Sequence, residues 1–140
     1  MLIGEYSHNI DPKGRMIFPA RLRDDLGVRF VVTKSLGDAC LAAYSYEEWN
    51  LLAEKIKGLP MSKARPFQRI LFAGAVECEP DKQGRILLPA ALREYAGLEK
   101  DVVVVGASNH AEIWDKSRWD AECAKLDSDD IAGIMDELGF

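Results

Sequence analysis

Cysteine and histidine are scarce: the chain has three cysteines (Cys40, Cys78 and Cys123) and two histidines (His8 and His110). An odd number of widely spaced cysteines makes no disulfide framework, and without a CxxC pair or clustered histidines there is no zinc framework either. The thiols are expected to be buried and free. Catalytic signatures are equally absent. No Ser/His/Asp or Cys/His arrangement stands out, and neither GxGxxG nor GxxxxGK[ST] occurs to cradle a nucleotide. Enzyme activity, a bound cofactor and a metal are therefore not expected. Long apolar runs are missing too. Uncharged stretches such as Val102 to Asn109 fall well short of the roughly 20 residues that span a bilayer. The opening Met-Leu-Ile-Gly-Glu has no basic region ahead of an apolar stretch, so no signal peptide is expected and the chain reads as cytoplasmic. Positive charge is also in deficit. A net charge of −5 argues against a generic nucleic-acid binder.

What is present begins with enough apolar residues to fold: 48% hydrophobic against 29% charged over 140 residues. The charge is unevenly placed. Residues 1–70 carry 11 Lys/Arg and 8 Asp/Glu, whereas residues 71–140 carry 7 and 15. The basic excess is densest at Lys13, Arg15, Arg21, Arg23 and Arg29, set against Asp11, Asp24 and Asp25. An anionic partner, if there is one, is signalled in the first half.

The chain aligns with itself, without a gap, at a shift of 70 residues. Asp11, Gly14 and Arg15 match Asp81, Gly84 and Arg85. Pro19-Ala20 matches Pro89-Ala90, Leu22-Arg23 matches Leu92-Arg93, and Gly27 matches Gly97. That makes eight identities in the 17 positions from Asp11 to Gly27, too many for chance. Farther out, Gly4 meets Gly74, Val32 meets Val102 and Trp49 meets Trp119. A unit this small is poorly able to bury its own core, so two copies about a pseudo-twofold axis are expected to close one core together. The resulting division is a first repeat at 1–57, a connector helix at 58–73, a second repeat at 74–126 and an acidic tail helix at 127–140.

Within the unit, Tyr6, His8 and Ile10 alternate with polar residues and predict a strand. Asp11-Pro-Lys-Gly14 is a turn, and a second strand from Arg15 stops before Pro19, the two strands forming a hairpin. Ala20–Leu26 predicts a two-turn helix with Gly27 as its cap. Phe30–Thr33 and Cys40–Tyr44 predict strands, and Ser45–Lys57 a helix with a capping box at Ser45 and Glu48. The second copy repeats this order, with Val102–Val105, apolar on both faces, as a central strand. In the connector, Phe67, Ile70 and Leu71 share helical spacing and are expected to dock on the core. In the tail, Ile131, Ile134, Met135 and Leu138 lie on one face of a helix that needs something to pack on, its own chain or a neighbour. Trp49 and Trp119 read as core anchors.

The repeated Asp-x-x-Gly-Arg motif carries the local chemistry. Arginine suits forked recognition of carboxylate or phosphate. Two readings stay open on the residues alone. Asp and Arg pair and hold the halves in register, or the turn presents Arg15, with Lys13 beside it, to phosphate or guanine edges. The copies differ in charge: Lys13, Arg21 and Arg29 of the first become Gln83, Ala91 and Glu99 in the second. That is the direction expected if the first copy binds DNA and the second mainly builds structure.

The sequence resembles the MraZ family of bacterial regulators, whose repeats are of the AbrB/SpoVT-like class. The resemblance rests on Gly4-Glu5-Tyr6, Asp11-x-Lys-Gly14-Arg15, Pro19-Ala20, Leu22-Arg23, Trp49, Phe72-x-Gly74-Ala75, Asp81-x-x-Gly84-Arg85 and Pro89, and runs from Met1 to about Leu126. It implies a mainly β fold with helices (α+β), a double-split β-barrel of two pseudo-symmetric repeats. It implies rings of about eight or more subunits. Such rings bind direct repeats in the promoter of their own division and cell-wall gene cluster, usually as repressors, on double-stranded DNA at the nucleoid. Arg15 would contact DNA, with Lys13, Arg21 and Arg23 supplying backbone charge. Asp11, Gly14, Asp81, Gly84 and Arg85 would build the turns. The alternative is an oligomeric scaffold or protein-binding module that does not touch DNA.

Overall fold

The alternation at the start of each copy produces strands, and the Asp-x-x-Gly turns break them. The computed structural model describes residues 1–140. The first copy contributes strands β1 (Glu5–Asn9) and β2 (Arg15–Ile17), helix α1 (Ala20–Leu26), strands β3 (Phe30–Lys34) and β4 (Leu41–Tyr44), and helix α2 (Tyr46–Lys57). Helix α3 (Met61–Phe67) follows and runs on as a π-helical turn, Gln68–Phe72. The second copy then supplies β5 (Val76–Cys78), β6 (Arg85–Leu87), α4 (Ala90–Ala96), β7 (Asp101–Gly106), β8 (Ala111–Asp115) and α5 (Lys116–Ala124), and α6 (Ser128–Glu137) ends the chain. Local chemistry explains several boundaries. The Ser45 hydroxyl accepts the Glu48 N–H at the start of α2, and the carboxylates of Asp115 and Asp127 do the same for α5 and α6. No helix is long and apolar enough to cross a membrane.

Six strands form one sheet in the order β1-β7-β8-β4-β3-β5, and β2 pairs with β6 in a separate ribbon. Exchanging each strand for its counterpart in the other copy reverses this order and leaves it unchanged. A pseudo-twofold axis therefore passes between β4 and β8, where Ala42 faces Glu112, and through the ribbon, where Met16 faces Ile86. Both outer strands are exchanged: β1 pairs with β7 of the other copy and β5 with β3. One cluster of 20 buried residues draws on both copies, with Met16, Phe18, Phe30 and Leu41 beside Ile86, Leu88, Val104 and Ile113. Phe18 and Phe30 pack with ring centroids 4.8 Å apart. As expected of a strand covered on both faces, Val102 to Val105 are all buried.

Several expectations are corrected. The six-stranded sheet is open: β1 and β5 are its edges, and it does not close into the anticipated double-split β-barrel. Pro19 and Pro89 follow β2 and β6 within two residues, so those strands are three residues long and cap the core as a ribbon without extending the sheet. The β1–β2 hairpin is reduced to a single bridge, Ile10 to Met16, after which each strand pairs with the other copy. In the connector, Leu71 and Ala64 are the buried residues, whereas Phe67 and Ile70 stay exposed. The π-turn breaks the 3.6-residue phase on which their alignment relied. Leu71 is anchored by its carbonyl, which accepts the hydroxyl of the buried Thr33 at 2.8 Å. Cys40 and Cys78 are buried, but Cys123, on the outer helix α5, is exposed.

Candidate nucleic-acid interface

The two Asp-x-x-Gly-Arg turns are built by the same bonds. The Asp11 carboxylate accepts the N–H of Lys13 and of Arg15, both at 2.9 Å, and Arg15 Nε–H at 2.8 Å. Asp81 accepts the N–H of Gln83 and Arg85 and Arg85 Nε–H, all at 2.9 Å. The Asp11 carboxyl is held below its ordinary value of 3.8 first by the Arg15 backbone N–H, with partial desolvation opposing, then by the Arg15 side chain and the Lys13 N–H. Asp81 is lowered in the same way by Arg85 and Gln83. Both open readings of the motif therefore begin from an intramotif pair. The pair engages only Nε of each arginine, and the outer guanidinium N–H groups of Arg15 and Arg85 make no other bond within the chain.

The ribbon decides where those free groups point. In its register Arg15 faces Leu87, Met16 faces Ile86 and Ile17 faces Arg85. Side chains alternate between faces along a strand. Met16 and Ile86 are buried at 1% and 3% exposure, so Arg15, Ile17, Arg85 and Leu87 share the outward face. Ile17 and Leu87 are exposed. The result is an outward strip with an arginine at each of two diagonal corners and an aliphatic side chain at each of the other two. Lys13 lies exposed on the first turn, and Lys82 and Gln83 on the second. Arg15 and Arg85, assigned to different uses in the sequence, are thus on one surface.

Arg23 and Arg93 lie elsewhere, crossing between the copies. Gly14 and Gly84 are buried turn residues at φ +84° and +80°, a region that favours glycine. A Cβ on Gly14 would stand 3.0 Å from Arg93 Nε, and one on Gly84 would stand 3.2 Å from a terminal nitrogen of Arg23. Each helix arginine therefore packs against the turn of the opposite copy. Arg93 Nε–H donates to the Leu88 carbonyl at 2.9 Å, while Arg23 Nε is buried without a partner. Backbone bonds tie the same places together: Phe18 N–H donates to Gly84 O and Leu88 N–H to Gly14 O, both at 2.9 Å. Arg21 is exposed on α1, lining a shallow cleft with Met1, Ile3, Asp24 and Asp25. Arg29 pairs with Glu79 at 3.4 Å.

Sequence reasoning missed the aliphatic part of the strip and the place of Arg85 on it. The signal was available in the period-two pattern: Met16 and Ile86 inward require Ile17 and Leu87 outward. It also missed that Arg93 buttresses the first turn, a contact across the axis that no local spacing encodes.

The family model described as "MraZ protein, putative antitoxin-like" matches the chain twice, over residues 1–69 and 71–136. The transcriptional regulator MraZ of Heliobacterium modesticaldum is 60% identical over 121 residues, covering 85% of this chain and 84% of that protein. The one from Pelotomaculum thermopropionicum is 57% identical over 122 residues, covering 86% and 83%. That of Caldicellulosiruptor bescii is 52% identical over 144 aligned positions and covers both chains completely. On these matches the chain belongs to the MraZ family, whose named members here are transcriptional regulators and not enzymes.

Proposed function

We propose that this chain regulates transcription by laying the β2–β6 ribbon on double-stranded DNA, with Arg15 as the principal contact and Lys13 beside it on the turn. The observation that carries the reading is the shared outward face of Arg15, Arg85, Ile17 and Leu87. A two-stranded ribbon fits the major groove, where arginine reads guanine and an aliphatic side chain meets the thymine methyl. Diagonal neighbours on an antiparallel pair stand roughly 7–8 Å apart, close to two base-pair steps. Because Nε of each arginine is already held by its aspartate, little freedom is lost when the outer nitrogens engage a base or phosphate. Arg21 adds backbone charge at the flank. Arg23 is placed to hold the turns and contributes to binding through them.

One ribbon makes few phosphate contacts, and the net charge of −5 opposes loose association. Affinity then comes from several copies of the chain in a closed ring, each presenting the same ribbon at fixed spacing to direct repeats in the promoter of its own gene cluster, which it represses. Footprinting on the DNA upstream of its gene tests this. Regularly spaced protections are expected, with log K falling steeply against log salt. Arg15→Ala should abolish them while the assembly persists on a sizing column. A folded, assembled protein that leaves that DNA unprotected would refute the proposal and favour a protein-binding scaffold.

A further inference from the structure

The β2–β6 ribbon has two flanks, which the pseudo-twofold relates. Strand β1 runs beside β2, joined to it at the Ile10–Met16 bridge, and β5 holds the counterpart place beside β6. The two flanks differ in chemistry. Ser7, His8 and Asn9 of β1 correspond, 70 residues on, to Glu77, Cys78 and Glu79 of β5. Lys116, which opens α5, corresponds to Tyr46, which opens α2. On the β5 flank Glu79 pairs with Arg29 at 3.4 Å, the Tyr46 hydroxyl stands against the Glu77 carboxylate, and Cys78 is buried. The β1 flank is open instead. A cleft of 540 Å³ lies along it, lined by Ser7, His8, Asn9 and Lys116 and by Ile17 of the outward strip.

Hydrogen-bond donors collect in that cleft. Of the two histidines, His110 is bonded to Asn109 and Glu112, whereas the half-buried His8 ring has no partner in the chain. The Lys116 ammonium is held only by Asp120 at 2.9 Å, an exposed pair of the kind that contributes little. Asp101 is the one carboxylate lining the cleft, and the Asn9 side-chain amide donates to it at 2.9 Å. Strand β1 is an edge of the sheet, so backbone N–H groups along it face the open side unpaired. The apolar lining is limited to Ile17 and Val102, which leaves an added peptide strand no pockets for its side chains. An ammonium, an imidazole, a hydroxyl and backbone N–H groups are the donors that hold a phosphodiester. We infer that the cleft between β1 and β2 binds a phosphate of the DNA backbone, with Lys116, His8 and Ser7 as its ligands. The inference rests on the ribbon reading above and adds a direction to it. The duplex leaves the strip over the flank of β2, which carries Arg15, and the Glu77 and Glu79 carboxylates repel it from the flank of β6, which carries Arg85.

Equilibrium binding of the full chain to the duplex upstream of its gene, across a salt series, tests this. Lys116→Gln combined with His8→Gln should weaken binding at least about tenfold and make log K against log salt shallower by about one for each bound subunit. Ser7→Glu, which copies the β5 flank, should weaken binding by a similar factor, whereas Glu77→Ser should change it less than about threefold. Ethylation of single phosphates in the duplex locates the contact: phosphates whose ethylation blocks the wild-type protein should cease to matter to the Lys116→Gln, His8→Gln variant. Arg15→Ala is measured alongside. If it abolishes binding while both cleft variants keep the wild-type affinity, slope and ethylation pattern, the cleft assignment is overturned and the ribbon reading stands. A tenfold or greater gain from Glu77→Ser also overturns it, because the duplex then crosses the other flank. Cleft variants that elute from a sizing column as smaller species overturn it too, making the cleft a contact between copies. An Arg15→Ala variant that binds as the wild type does removes both readings.

Discussion

Replacing Gly14 by alanine separates the cost of backbone conformation from the cost of the crossed arginine contact, because Gly37 supplies an internal control. Both glycines sit at positive φ, +84° and +89°. Around Gly37 a Cβ would meet nothing within 4 Å, whereas at Gly14 it would meet Arg93 Nε and the Leu88 carbonyl oxygen, each at 3.0 Å. A left-handed conformation costs a non-glycine residue about 1–2 kcal/mol. Gly37→Ala should show that cost alone. Gly14→Ala adds overpacking against a backbone carbonyl that cannot move freely, a further ~1–2 kcal/mol. With an unfolding entropy of about 2.1 cal/mol/K per residue, each kcal/mol lowers the melting temperature of a 140-residue chain by roughly 3 °C. The expected losses are then about 3–6 °C for Gly37→Ala and about 6–12 °C for Gly14→Ala. Calorimetry at matched protein concentration measures both, since the melting midpoint of any chain that self-associates depends on its concentration. Arg93→Ala in the Gly14→Ala background should recover part of the difference, by removing one of the two clashing partners. Equal losses at the two glycines would refute the claim that the second copy braces the first turn.

Thr33→Val strips the hydroxyl from a fully buried side chain and leaves the Leu71 carbonyl unpaired, which should cost about 1–3 kcal/mol in urea unfolding. Asp11 and Asp81 have folded pKa values below the ordinary 3.8. Their contribution to stability is complete above that value and is lost as pH falls below it through the lowered folded values, so an Asp11→Asn, Asp81→Asn double variant should show a shallower acid loss in a pH-dependent melt. Burial pushes the Cys40 thiol up to about 12 and the Cys78 thiol up to about 11, and Cys123 is exposed. A chromogenic disulfide reagent should therefore titrate one thiol quickly in the native protein and all three only in denaturant.

Much of this molecule is written in local sequence. The shift of 70 residues, the alternation at Tyr6 and His8, the proline stops at Pro19 and Pro89 and the double-sided apolar run at Val102 to Val105 depend on neighbouring residues, and the elements form where those patterns place them. The Asp11 and Asp81 turns are likewise legible, because an aspartate four residues before an arginine, with glycine between, can satisfy its own loop. Pairing was not legible. Strand exchange, the open sheet in place of a closed barrel, and the ribbon of β2 on β6 follow from which apolar faces the two copies can bury against each other, and a repeat of identical periodicity does not say whether a strand pairs within its own copy or across the axis. The candidate site divides the same way. The residue types of Arg15 and Lys13 marked it in sequence. Only the burial of Met16 and Ile86 at the axis turned Arg15 and Arg85 onto one outward face and placed Arg23 and Arg93 beneath the opposite turns, since side-chain direction on a short strand is set by what its other face must cover.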